Sequence, residues 1–95
     1  MRIGIPKESD VKETRVAIVP VSIPKLMKLG FEVLIEKGAG EKAGFSDTDY
    51  SESGAELTED KKKVFACPII LKVEPPSIDE IELIKPETIL ITALQ

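Results

Sequence analysis

Four short apolar segments are separated by polar segments along the 95-residue chain. They cover residues 2–5, 31–36, 69–73 and 88–94. Runs of this length, bounded by Pro, Gly and charged residues, are typical of β-strands. The segment at residues 69–73 is apolar almost throughout, which indicates a strand buried on both faces of a parallel sheet.

Helix signals occupy the polar segments between these strands. Each predicted helix begins at a side chain that can accept hydrogen bonds from the first turn. These caps are Ser22, Ser46, Thr58 and Ser77, the last forming a capping box with Glu80. The fourth helix places Ile78, Ile81 and Ile84 on one side and ends at Lys85. Alternating strands and helices predict an α/β fold with a mostly parallel sheet flanked by short helices.

The last predicted strand, residues 88–94, is apolar and is followed only by Gln95. A parallel sheet normally covers such a strand with helices. We therefore expect an incomplete domain, whose remaining part belongs to a longer protein or to a partner chain.

Composition narrows the range of functions. The formal net charge is −4 and the lysines are dispersed, so we expect no basic face for nucleic acid. The chain has no histidine, and its one cysteine, Cys67, can form neither an internal disulfide nor a multi-cysteine metal site. Cys67 lies in an apolar segment and is interpreted as a buried hydrophobic residue, not a nucleophile. The single cysteine fits a reducing cytoplasm, and residues 1–6 lack the apolar core of a signal peptide, so we expect a cytoplasmic protein. No apolar run approaches the ~20 residues of a membrane span, so we expect no direct membrane insertion.

Four residues are candidates for ligand binding. In open α/β sheets, ligands bind beyond the carboxyl ends of the strands. Arg15, Lys72, Glu74 and Gln95 lie near such ends, so we predict that they share one edge of the sheet. Arg15 is the best candidate, because a guanidinium can hold a carboxylate or phosphate through two parallel hydrogen bonds.

Structural roles remain alternatives for these cations and are favoured for Arg15 and Lys72. Arg15 can form an ion pair with Glu8 or Glu13. The ammonium group of Lys72 can reach outward to solvent along its aliphatic stem. Three further lysines at residues 61–63 follow two acidic residues and are interpreted as a solvated helix face.

Three glycines, Gly38, Gly40 and Gly44, follow the second predicted strand. Their spacing is not that of the dinucleotide fingerprint, and the next helix begins only after Ser46. We interpret them as tight-turn glycines, with phosphate binding as the less favoured alternative.

Several sequence motifs occur together at consistent spacing. Residues 3–8 read Ile-Gly-Ile-Pro-Lys-Glu, and residues 14–20 read Thr-Arg-Val-Ala-Ile-Val-Pro. Together with residues 30–41, 45–55 and 70–73, they resemble the N-terminal domain of alanine dehydrogenases and pyridine-nucleotide transhydrogenase α subunits. The resemblance covers essentially the whole chain.

The resemblance implies that residues 1–95 form a Rossmann- or flavodoxin-like, substrate-side domain that faces a cleft. A second domain, downstream of this chain, would bind NAD(H), and we expect no cofactor to bind this chain tightly. In alanine dehydrogenases the arginine matching Arg15 holds the substrate carboxylate. The second lysine of a Lys-Val-Lys-Glu-Pro motif also contacts the substrate, and a histidine is the acid–base catalyst.

Two of these three positions differ here. The motif reads Lys-Val-Glu-Pro-Pro, so Glu74 replaces the second lysine, and Gln95 replaces the histidine. A carboxylate repels a carboxylate substrate, and glutamine cannot carry a proton at neutral pH. Transhydrogenase α domains of the family that this chain resembles also lack this lysine–histidine pair, so the substitutions favour that branch or an unassigned one. We expect an oxidoreductase domain without catalytic residues of its own, and alanine oxidation is in doubt.

Other functions stay open. The chain can be a freestanding, non-catalytic module that binds a small carboxylate or a protein partner, pairing through its last strand in a homo-oligomer. As part of an enzyme, it would take a small carboxylate or nucleotide substrate. A resemblance to saccharopine dehydrogenases ranks lower, because residues 3–8 and 38–41 are more similar to the alanine dehydrogenase group.

Overall fold

A computed structural model describes residues 1–92 of the chain. It contains a five-stranded sheet in which every neighbouring pair of strands is parallel. The strands are β1 (Arg2–Ile5), β2 (Glu32–Glu36), β3 (Glu56–Thr58), β4 (Ile69–Lys72) and β5 (Ile89–Thr92). Their order across the sheet is β3-β2-β1-β4-β5, which confirms the predicted α/β fold with a parallel sheet.

Four short helices connect the strands. They are α1 (Ile23–Lys28), α2 (Asp47–Ser53), α3 (Lys61–Phe65) and α4 (Ile78–Ile81). Two of them begin with a complete capping box, formed by Ser46 with Asp49 and by Ser77 with Glu80. In each box the serine accepts from the backbone N–H of the third helical residue, whose carboxylate accepts from the serine N–H.

The core lies mainly on the face of the sheet that α1 and α2 cover. Ile5, Ile23, Ile35 and Tyr50 are fully buried there. The Tyr50 hydroxyl donates a 2.8 Å hydrogen bond to the Ile18 carbonyl, and burial raises the pKa of Tyr50 to about 12. This bond fixes the irregular segment between β1 and α1, which contains Arg15.

A smaller cluster, Leu34, Val64 and Cys67, packs beneath α3. Cys67 is buried as predicted, and burial raises the pKa of its thiol. A raised pKa leaves the thiol protonated near neutral pH, which supports its interpretation as a hydrophobic residue.

Four sequence-based predictions need correction. The predicted strands omitted β3, which has one apolar residue in three. Helix α3 is capped by Asp60, whose carboxylate accepts from Lys62 N–H, and not by Thr58. Helix α4 ends at Ile81, not Lys85, and Ile81 and Ile78 are exposed to solvent. Ser22 lies at the predicted start of α1, but its side chain makes no capping hydrogen bond.

Strand β4 was predicted to be buried on both faces. Instead, Ile70 and Lys72 are buried, whereas Ile69 and Leu71, which point to the other face, are only partly buried. Within residues 1–92, no helix is long and apolar enough to span a membrane.

Candidate functional site

The carboxyl ends of β1, β2 and β4 bring their following loops to the same edge of the sheet. Because the strands are parallel, these loops meet even though they are far apart in sequence. Two groups of charged side chains lie at this edge. We call Glu13, Arg15 and Glu74 the Arg15 cluster. The Lys72 cluster contains Glu8, Glu36, Lys61, Lys72 and Glu80.

Arg15 and Glu13 form a two-point ion pair. The Arg15 Nε and Nη2 atoms lie 2.9 and 2.8 Å from the two carboxylate oxygens of Glu13, and the Arg15 backbone N–H also donates to Glu13. The Arg15 hydrogen bonds lower the pKa of Glu13 from 4.5 to about 2, and Glu13 raises the pKa of Arg15. The sequence left Glu8 and Glu13 as candidate ion-pair partners of Arg15, and in the structure the partner is Glu13.

Glu74 approaches the same guanidinium from the end of β4. Its Oε1 lies 3.6 Å from Arg15 Nη2, and the Glu74 and Arg15 side chains are 39% and 45% exposed. Arg15 thus lies close to the segment of residues 72–74, as predicted. Interaction with the Glu13 carboxyl, together with burial, raises the pKa of Glu74 above its usual value.

Lys72 does not reach solvent, so the prediction that its ammonium group extends outward is wrong. Its side chain is fully buried, and its Nζ lies 3.0 Å from Glu8 Oε1 and 3.8 Å from Glu80 Oε1. A buried ammonium group needs such partners, because desolvation of an unpaired charge is expensive. Lys72 is therefore an internal ion-pair partner, which agrees with the structural role favoured for it.

Glu8 connects the two clusters through the backbone. Its carboxylate accepts hydrogen bonds from the backbone N–H groups of Val73 and Glu74, at 3.0 and 3.1 Å. The same carboxylate binds Lys72, and its side chain is only 5% exposed. Lys72 thus orients Glu8, and Glu8 fixes the backbone that carries Glu74.

Glu80 and Lys61 complete the Lys72 cluster. Glu80 accepts from the Ser77 N–H, and Lys61 Nζ lies 3.1 Å from Glu80 and 3.3 Å from Glu36. Burial raises the pKa of Glu80, but these donors together with Lys72 lower it more, so the net shift is downward. The interpretation of residues 61–63 as a solvated face is therefore wrong for Lys61.

Glu80 and Lys61 were not among the predicted site residues. The capping box identified Glu80 as a helix-start residue, but it gave no indication that Lys61 and Lys72 would meet the same carboxylate. Gln95 lies outside the described residues.

A small cavity lies beside Arg15, with space of about 10 Å³, roughly that of one water. Lys7 and Lys42 line it together with Arg15, Glu8 and Glu13. A much larger open groove, about 650 Å³, lies elsewhere, between Val19–Val21 and α2. Size alone would favour the groove, but the convergence of charged groups favours the Arg15 edge.

The glycine segment does not fit a dinucleotide phosphate. Gly38 has a φ of 84°, as a tight turn requires, and its N–H donates to the Asp47 carboxylate. A Cβ at Gly40 would lie 2.5 Å from the Tyr50 ring, so this glycine permits close packing. The predicted turn role is confirmed for Gly38 and Gly44, which have positive φ, whereas the role of Gly40 is in packing. Among residues 1–92, no group of three or more acidic or cysteine side chains is arranged to hold a metal ion.

Comparisons with known proteins agree on one family. The family model described as "Alanine dehydrogenase/PNT, N-terminal domain" matches residues 4–95. An alanine dehydrogenase of Staphylococcus epidermidis is 39% identical over 94 residues, which is 99% of this chain and 25% of that protein. One from Methanococcus maripaludis is 42% identical over 95 residues, covering 99% of this chain and 26% of that protein.

Solved structures give the same result. An L-alanine dehydrogenase matches 97% of this chain and 26% of its own, with a TM-score of 0.89 and 35% identity. A transhydrogenase from Sinorhizobium meliloti matches 99% of this chain and 28% of its own, with a TM-score of 0.93 and 35% identity. The chain spans about a quarter of the length of these relatives.

Proposed function

The chain belongs to the family of alanine dehydrogenase and transhydrogenase N-terminal domains, and from this premise we propose that it is the substrate-side domain of an NAD(P)-linked oxidoreductase. In this proposal Arg15 faces an interdomain cleft and binds the carboxylate of a small substrate. NAD(H) binds through a separate domain, because the glycine segment of this chain does not fit a phosphate.

The observation that carries the proposal is the meeting of Arg15 with the segment that ends β4. Two motifs that are 59 positions apart, around Arg15 and Glu74, come within 3.6 Å at the edge where parallel sheets bind ligands. Arg15 is half-exposed, so its guanidinium remains accessible to a ligand from outside the domain.

The Lys72 cluster has a supporting role in this proposal. Lys72 is enclosed by carboxylates and acts on the site only by holding Glu8 and the backbone of residues 73–74. Glu74 contributes a negative charge where the resemblance implies a lysine, and Gln95 offers an amide where it implies a histidine. Both differences argue against alanine oxidation as the reaction.

The test is to sequence the reading frame beyond Gln95 and assay its complete product. A downstream G-x-G-x-x-G region with hydride exchange between nucleotides, or with alanine-dependent reduction of NAD, supports the proposal. An Arg15→Gln variant should then raise the substrate KM. If the product binds NAD but carries out neither reaction, the oxidoreductase assignment fails.

A second candidate is a non-catalytic module that pairs through β5. Ile89, Leu90 and Ile91 are 55%, 37% and 52% exposed, and β5 has β4 as its single partner within residues 1–92. An exposed apolar edge strand is a template for another chain. Sedimentation at several concentrations tests this candidate, because a strict monomer excludes the pairing.

A further inference from the structure

We propose that Glu74 is a specificity-determining residue that serves as an internal carboxylate ligand of Arg15. It weakens the binding of a plain monoanion, and it favours a small carboxylate when Glu74 is protonated or when the ligand brings its own cationic group. This inference rests on the proposed function, because it assumes that Arg15 is the anion-binding residue.

The geometry places Glu74 where an incoming anion would bind. Two donor atoms of the guanidinium, Nε and Nη2, are already used by Glu13. Glu74 Oε1 lies 3.6 Å from that same Nη2, on the half-exposed side of the ion pair. A ligand carboxylate that reaches Arg15 must therefore displace Glu74 or lie next to it.

Glu74 is fixed in this position by its backbone. Glu8 accepts hydrogen bonds from the N–H groups of residues 73 and 74, and buried Lys72 holds Glu8. Since the Glu74 backbone is anchored, only its side chain can rotate away from Arg15. The competing carboxylate thus remains near the guanidinium even when a ligand arrives.

The charges around Glu74 favour uptake of a proton by its carboxylate, and the protonated side chain no longer competes with a ligand for Arg15. Glu13, Asp10 and the backbone-bound Glu8 face it from the loop after β1, and Arg15 is the cation nearest to it. One guanidinium is shared by the carboxylates of Glu13 and Glu74, so the pair is short of positive charge. Interaction with Glu13 raises the pKa of Glu74, so it takes up a proton before Glu13 as the pH falls.

A matched pair of ligands tests the inference. Propionate and L-alanine share a three-carbon carboxylate, but only L-alanine carries an ammonium group. We would titrate each into the complete product of the reading frame and follow the Arg15 Nε–H signal by NMR. The variants are Glu74→Gln and, as a control with the same loss of charge, Glu82→Gln at an exposed residue after α4. Thermal unfolding would verify that both variants remain folded.

Near pH 7 we expect Glu74→Gln to bind propionate about fivefold more tightly than wild type, the effect of removing one like charge ~4 Å away in water. L-alanine should gain less, because it loses a partner for its ammonium group. Wild-type affinity for propionate should rise as the pH is lowered from about 7 and Glu74 takes up a proton, because its pKa is raised, and that of Glu74→Gln should stay constant. Glu82→Gln should behave like wild type.

Equal propionate affinity in wild type and Glu74→Gln, with the Arg15 signal responding in both, would overturn the inference and leave the proposed function intact. If the Arg15 signal responds to neither ligand in any variant, both fail. A similar gain in Glu82→Gln would show that net charge is responsible, and it would also overturn the inference.

Discussion

The two charged clusters at the sheet edge differ in how their carboxylates are satisfied. In the Lys72 cluster, Glu8, Glu36 and Glu80 each accept at least one backbone N–H as well as an ammonium group. In the Arg15 cluster, Glu74 contacts the shared guanidinium at 3.6 Å. Each carboxylate of the Lys72 cluster has an ammonium group within 3.3 Å, whereas Glu74 has a guanidinium contact at 3.6 Å that it shares with Glu13.

This difference indicates that one cluster stabilises the fold and that the other can bind a ligand. Charges that are buried and fully paired hold loops in place and resist change. Half-exposed charges, such as those of Arg15 and Glu74, can exchange partners at less cost. We therefore assign the Lys72 cluster to stability and the Arg15 cluster to ligand binding.

The largest expected effect follows from removing Lys72. A Lys72→Met variant keeps most of the side-chain volume but leaves Glu8 buried without its ammonium partner, while Glu80 keeps only Lys61. We expect a loss of about 3 to 5 kcal/mol of unfolding free energy, measured with urea. This is a large share of the stability of a domain of this size.

The matched control is Lys37→Met, which removes a lysine paired with Glu59 at 3.5 Å where the two side chains are 48% and 82% exposed. Its cost should stay below about 1 kcal/mol. Similar costs for the two variants would contradict the distinction between a buried and an exposed ion pair.

Individual carboxyl groups should change the stability of the chain at acid pH in opposite directions. Glu13 and Glu80 have lowered pKa values in the folded state, so their contributions are present at neutral pH. That of Glu13 is lost as the pH falls from 4.5 towards about 2. The pKa of Glu74 is raised, so its folded form gains stability as it takes up a proton above pH 4.5.

Urea unfolding as a function of pH checks this prediction. Wild type should show a small rise in stability on mild acidification and then a fall below about pH 4.5. Glu74→Gln should lack the rise and keep the fall. A monotonic loss of wild-type stability from neutral pH would contradict the assigned direction for Glu74.

A smaller effect is expected from Arg15→Gln. The variant leaves Glu13, whose side chain is only 5% exposed, without its guanidinium partner. Glu13 keeps the backbone N–H of residue 15 as a donor and the lost guanidinium was half-exposed, so the unfolding midpoint should fall less than in Lys72→Met. The pKa of Glu13 should rise from about 2 towards 4.5, because its strongest donor is lost. Carbon NMR of the Glu13 carboxyl measures this, and an unchanged pKa would show that Arg15 does not stabilise the carboxylate.

The sheet could be predicted from sequence where apolar runs are long enough. Strands β1, β2 and β4 are such runs, whereas β3 has a single leucine and forms because Leu34, Ile35 and Glu36 supply a partner strand. Capping residues located the starts of α2 and α4 because their hydrogen bonds are local. The length of α4 was overestimated, because the periodic isoleucines imply a packed face that the structure leaves exposed.

The candidate site could be predicted only in part. Because the loops after the carboxyl ends of parallel strands meet at one edge of the sheet, Arg15 and Glu74 could be predicted to lie at the same edge. It could not identify the ion-pair partners, because Lys72 meets Glu8, 64 positions away, and burial of a charge depends on tertiary contacts. The ion pairs of Lys61 could not be predicted for the same reason, because Glu36 and Glu80 lie on two other elements.

The most direct measurement is a map of where L-alanine contacts the chain, obtained from NMR shifts of backbone N–H groups and arginine Nε–H. We predict shifts at Arg15 Nε–H and at the N–H groups of residues 73–74, with the Lys72 ammonium signal unchanged. Shifts confined to the groove between Val19–Val21 and α2 would contradict the assignment of the Arg15 cluster as the binding site.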